Sequence, residues 1–202
     1  MRSEEYKING FDAGIREALD ATEKLGLDNG LANKENLHLR LLGEELLGLV
    51  RGIAGEVEAL YWLEWENKAF QLHLRADIRM TQEMRKQFIG ISSTGTNAAV
   101  KGFTGKIKEM IAILLLPKDD NPSYLSLGLM SMGSPGGYLA DEGTYEWSMD
   151  LFMEQMKHSE HSSPEARETW DELEKSVIAK LADEVKISII GSQVEITVFK
   201  TF

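Results

Sequence analysis

Several residues have types and spacings that could do chemistry, and each also has a plainer structural account. Glu44 and Glu45 stand in the run Leu42-Gly43-Glu44-Glu45-Leu46-Leu47, with Arg40 and Arg51 nearby. A carboxylate held this way is a candidate general base. It is equally a solvated helix carboxylate sharing its charge with the two arginines. Asp77 closes an alternating apolar and polar stretch, where it could accept a hydrogen bond from a ligand amine or simply start a turn. Residues 92–106, SSTGTNAAVKGFTGK, are small and polar and include Asn97, Gly102, Gly105 and Lys106. Glycines that let backbone approach a phosphate, with a lysine at hand, suit an anion or a nucleotide; a connector between helices has the same composition. The segment is not a Walker A loop, because too few residues separate its glycines and Ile107 stands where Ser or Thr is required. His158 and His161 could suggest a metal pair. With no thiolate and no cluster of further ligands, solvated histidines between helices are the plainer account. His73 is a packed or surface histidine on a strand face beside Trp62. The stripe Met149, Phe152, Met153 and Met156 is core or an adaptable partner face. Nothing resembles the nucleophile elbow of a serine hydrolase.

These residues need elements to hold them. Ile15, Leu19, Thr22 and Leu25 recur at helical spacing, which predicts a helix over 12–25 with Gly26 at its C′ position. A turn at Asp28-Asn29-Gly30 leads to a second helix, whose face carries Leu39, Leu42, Leu46, Leu49 or Val50, and Ile53, ended by Gly52 and Gly55. A hairpin about Asn67-Lys68 pairs Trp65 with Phe70, Leu63 with Leu72 and Tyr61 with Leu74, and leaves Trp62 opposite His73 on the other face. A helix is predicted over 81–90 with Thr81 as its cap. An apolar stretch over 107–116 stops at Pro117. Residues 117–146 hold three of the four prolines and many glycines and are predicted to be the longest loop-like region. A helix follows from about Ser148. Another starts at Ser163-Pro164 and continues through Trp170, Leu173, Val177 and Leu181. After Asp183 the period becomes two, and a Gly191-Ser192 turn pairs Ile189 with Val194, Ile187 with Ile196 and Val185 with Val198. Helices and hairpins mix without strict alternation, so an α+β fold is expected.

Composition removes whole classes. The 202 residues contain no cysteine, which excludes disulfide scaffolds, thiol nucleophiles and thiolate metal sites. A net charge of −11, from 33 acidic and 22 basic residues, disfavours a phosphate-backbone binder, so no nucleic acid partner is expected. The first residues, Met1-Arg2-Ser3-Glu4-Glu5, turn acidic without an apolar stretch, and the longest plain apolar run is 111–116. A soluble, cytoplasmic protein without membrane association is therefore the expectation.

The order of these units resembles the GHKL ATPase superfamily, the fold shared by histidine kinases, heat-shock chaperones and gyrase, and most of all the small anti-sigma factor kinases. The likeness is carried by LGL at 25–27 followed by LHLRLLGEELL at 37–47, by LEKSVIAKLADEVKISIIGSQVEITVFK at 173–200, and more weakly by EWSM at 146–149. It covers both ends of the chain and leaves residues 78–146 loosely matched. The resemblance implies one domain over 1–202, a two-layer α/β sandwich with helices on one face of a mixed, mainly antiparallel sheet. It implies ATP as cofactor and phosphoryl transfer to a protein partner in a bacterial regulatory switch, and a homodimer is compatible with it. By the same resemblance Glu44 is the base, Asp77 accepts the adenine amino group, and Asn97, Gly102, Gly105 and Lys106 line the phosphates. The family places an Asn four residues after the Glu to help hold Mg²⁺; here that position is Gly48, or Leu49 counted from Glu45. Both glycines that should follow Asp77 are replaced, by Arg79 and Thr81. Metal binding and catalysis are therefore expected to be weak or lost. The alternatives are a non-catalytic protein-interaction module that keeps the fold, and a binder of some other anion at 92–106.

Overall fold

The computed structural model describes residues 1–9, 13–51, 58–78, 107, 111, 115, 136–141, 144–159, 171 and 173–202. In chain order they form β1 (Tyr6–Asn9), α1 (Ala13–Asp28), α2 (Asn33–Arg51), β2 (Glu58–Glu66), β3 (Ala69–Asp77), β4 (Gly137–Asp141), β5 (Thr144–Ser148), α3 (Met149–Ser159), α4 (Val177–Leu181), β6 (Glu184–Ile190) and β7 (Gln193–Thr201). The predicted helix over 81–90, the 92–106 segment, Ser163-Pro164, His161 and Trp170 lie outside the described residues.

The architecture is α+β. Seven strands form one sheet in the order β1-β2-β3-β7-β6-β5-β4. Every described pair is antiparallel, where a mixed, mainly antiparallel sheet was expected. Both predicted hairpins have the expected register: Tyr61 faces Leu74, Leu63 faces Leu72 and Trp65 faces Phe70, while Val185 faces Val198, Ile187 faces Ile196 and Ile189 faces Val194. Asn67 accepts a positive φ of 54° at the first turn, which Asn tolerates better than most residues.

The period-two pattern sorts the sheet into two faces. Tyr61, Leu63, Leu72, Leu74, Val185, Ile187, Ile196 and Val198 are buried on one of them, together with Leu39, Leu42, Leu46 and Leu49 from α2. Phe152 of α3 packs against Trp147 on the same side, with ring centroids 5.7 Å apart, and Ile178 of α4 joins the core. The helices thus cover one face, as an amphipathic stripe and a half-apolar sheet require. Each fully buried leucine of α2 contributes roughly 1.5–3 kcal/mol by leaving water. Ile107, Ile111 and Leu115, the described members of the 107–116 run, are buried in the same core.

Four sequence expectations are corrected. First, α1 runs past Gly26 and ends in a Schellman motif: Gly30, at φ 75°, gives its N–H to Leu27 O, and Leu31 gives its N–H to Gly26 O. Gly26 lies inside the helix because α2 passes close by; a Cβ there would stand 2.0 Å from Asn36 Oδ1. Second, the glycine-rich 117–146 region contains β4 and begins β5. Gly137 is in a strand because Tyr145 lies over it, leaving only 1.7 Å between Tyr145 Oη and an added Cβ. Third, Val177 is exposed and Ile178 is buried, because Ser176 breaks the helical phase: its Oγ caps α4 by accepting from Ala179 N. Fourth, His158 falls within α3, not in a stretch between helices.

At the β5–α3 junction Ser148 caps the helix, its Oγ accepting from Leu151 N at 3.3 Å and donating to Glu184 Oε2 at 2.9 Å. Glu184 also accepts from Met149 N at 3.0 Å, so a carboxylate from β6 sits at the positive end of α3.

Candidate functional site

Glu44 and Asp77 are the only expected site residues among those described; Asn97, Gly102, Gly105 and Lys106 lie outside them. Two contacts set the direction of α2 across the sheet. Glu35, near its start, meets Lys68 of the β2–β3 turn at 3.1 Å, and Gly43 lies over Tyr61 and Leu72. Helix α2 therefore advances in the same direction as β3, and Gly48 lies further toward the end of the sheet at which β3 finishes with Asp77. The start of α2 is held by a capping contact, Ala32 N donating to Glu35 Oε2 at 2.7 Å. That backbone donor first, and the Lys68 ammonium second, hold the Glu35 carboxyl below its usual range.

Glu44 projects from the outer side of α2, exposed, and its Oε1 is 3.3 Å from Arg40 Nε. The same guanidinium reaches Glu23 at 2.7 Å and Asp20 at 3.3 Å on α1. One cation thus holds three carboxylates and ties the two helices together. Among the described residues Gly48 faces open space: beyond its own stretch of helix, none of their atoms lies within 4 Å of a Cβ built there. Asp77 is exposed at the end of β3, opposite Gln193 of β7. Among the described residues no group of three or more His, Asp or Glu side chains could hold a metal ion.

A second cluster forms on the sheet face away from the described helices. Trp62 and His73 stack with centroids 4.7 Å apart and planes 3° from parallel. Arg2 and Arg75 bring their guanidiniums to 4.8 and 5.1 Å from the Trp62 ring, within cation–π range. The Trp62 indole N–H donates to Glu64 at 3.2 Å. Arg75 donates to Glu195 through Nε at 2.9 Å, with Nη2 2.8 Å from the same oxygen. His73 Nδ1 lies 3.2 Å from Thr197 Oγ1 and 3.6 Å from Glu195 Oε1, while its buried Nε2 has no hydrogen-bond partner among the described residues. Burial holds the imidazole pKa below its ordinary value, outweighing the neighbouring Glu64 and Glu195 carboxylates. The sequence pattern placed Trp62 beside His73. The hairpin register also put Glu195 and Thr197 on the outer face of their strand, but gave no signal that they would meet His73, which follows only because β7 pairs with β3.

The fold and these contacts define an α+β protein with a seven-stranded antiparallel sheet, helices on one face and a charged, aromatic cluster on the other. No family model, no curated protein and no solved structure matches the chain. No helix among the described residues is long and apolar enough to cross a membrane.

Proposed function

We propose that this chain is an ATP-binding regulatory domain, of the kind its resemblance to anti-sigma factor kinases implies, in which phosphoryl transfer is weak or lost. The observation that supports the reading is the course of α2 along β3, which carries Glu44 and then Gly48 toward the end of the sheet where Asp77 stands. In this reading Asp77 accepts from the adenine amino group, and Asn97, Gly102, Gly105 and Lys106 receive the phosphates. Weak transfer follows from two features. Glu44 is engaged by Arg40, and the position four residues on offers no oxygen to a metal. Phosphoryl transfer depends on metal and positioning to stabilise charge, so that loss is expensive.

Isothermal titration with ATP and ADP, with and without Mg²⁺, tests the reading. Binding of ATP that Asp77→Asn and Lys106→Ala both weaken is the expected result. Because no described residue crowds Gly48, Gly48→Asn should fold and make ATP binding Mg²⁺-dependent. Absence of binding heat under every condition would sink the nucleotide reading. The second reading, an interaction module that keeps the fold without nucleotide, would then stand; the Arg40 ion pairs that occupy Glu44 are the observation in its favour.

A further inference from the structure

The Trp62–His73 stack sits where the two parts of the sheet join. Among the described strands β3–β7 is the sole pairing between the β1–β3 part and the β4–β7 part, and His73 faces Thr197 in that pairing. Neutral imidazole carries one ring proton. On Nδ1 that proton meets the Thr197 hydroxyl and the Glu195 carboxylate; on Nε2 it would be a buried donor with no acceptor among the described residues. The Nδ1–H tautomer is therefore the one this packing accepts. Acid must then add its proton at Nε2, an atom closed from water and without a partner among the described residues.

The charged groups around the ring pull both ways. Arg2, from the segment before β1, and Arg75, on β3 itself, bring positive charge to the same Trp62 ring. Glu64 on β2 and Glu195 on β7 bring negative charge, but Glu64 already accepts from the indole, and Oε2 of Glu195 is taken by Arg75. Neither carboxylate is a partner of Nε2. Hydration of the protonated ring consequently requires it to leave the stack.

We propose that His73 is an acid-released catch on the sheet face opposite the described helices: stacked on Trp62 when neutral, and swung out into water on protonation, freeing one face of Trp62 and loosening the β3–β7 join. Imidazole-proton and indole N–H spectra of the full chain between pH 7.5 and 5 test this, with far-UV circular dichroism recorded alongside. At pH 7.5 the His73 ring protons should be shifted upfield by the Trp62 ring current. On acidification that shift should collapse in one titration that also moves the Trp62 indole resonance, while the dichroism stays constant. His73→Phe keeps a flat ring without a titratable group and should leave the indole resonance still over the same range; His73→Gln gives the same readout if the Phe variant fails to fold. A His73 ring that keeps its stacked shift down to pH 5 overturns the proposal. So does an indole shift that persists in the variants, or loss of dichroism in the same step.

Discussion

The buried pair Thr22 and Tyr61 allows a prediction whose sign can be worked out from hydrogen counting. Both residues are fully buried, one on α1 and the other on β2. Thr22 Oγ1 lies 2.7 Å from Ala18 O and 2.8 Å from Tyr61 Oη. A carbonyl can only accept, so the single threonine proton goes to Ala18 and the tyrosine must be the donor to Thr22. Burial raises the phenol pKa, so that donor proton is retained at neutral pH. Tyr61→Phe removes the donor and leaves Thr22 with its own proton satisfied, a loss of about 1 kcal/mol. Thr22→Val instead strands the tyrosine O–H as a buried donor without an acceptor, which costs roughly 1–3 kcal/mol. Combining the two removes the orphan, so Tyr61→Phe should be stabilising in the Thr22→Val background. Urea unfolding followed by circular dichroism measures all four corners of the cycle, provided the slopes agree. Additive losses would mean the hydroxyls do not interact. A Tyr61→Phe loss larger than that of Thr22→Val would reverse the donor assignment and refute the reasoning.

Four further outcomes are expected. Gly48→Ala, into open space within α2, should raise stability by about 0.5–1 kcal/mol. Gly26→Ala, whose Cβ would meet Asn36 Oδ1 at 2.0 Å, should lower it by roughly 1–3 kcal/mol; paired thermal melts compare the signs. Glu184→Ala removes the acceptor for Ser148 Oγ and Met149 N and should cost about 1–2 kcal/mol, with loss of amide protection at the start of α3 under hydrogen exchange. The Tyr145 phenol is pushed up to about 12 by burial, against an ordinary value of 10.0. The unfolded chain therefore loses that proton first: stability from this group is complete below pH 10 and is lost as pH rises through 12. Unfolding midpoints at pH 9, 10 and 11 should fall, and should fall less steeply in Tyr145→Phe; equal slopes would show that Tyr145 is not the cause.

Much of the local structure was legible from residue spacing. The two hairpin registers follow from period-two alternation, because a one-residue slip would turn Tyr61, Leu63, Ile187 and Ile196 away from the core. The α2 stripe likewise identified its buried leucines. What the pattern misjudged was the meaning of glycine and of a single serine. Gly26, Gly136 and Gly137 look like turn or loop residues by composition, yet Gly26 and Gly137 are small because Asn36 and Tyr145 occupy the space a Cβ would fill. Ser176 shifted the helical phase by one residue, exchanging Val177 for Ile178 in the core. Such contacts come from residues distant in sequence, so spacing does not carry them.

The same division runs through the candidate site. Residue types alone determined that this acidic, cysteine-free chain has no thiol among its chemical means, and that the Gly48 side chain can supply no metal ligand. Only the tertiary structure decided that Arg40 draws Glu44 together with Asp20 and Glu23, and that α2 advances along β3 toward Asp77. It also decided that His73 meets Thr197 and Glu195, more than a hundred residues away, because β7 pairs with β3. Local spacing sets which face a side chain takes. Which distant strand lies against that face is set by burying all the apolar faces at once, and that is a property of the whole chain.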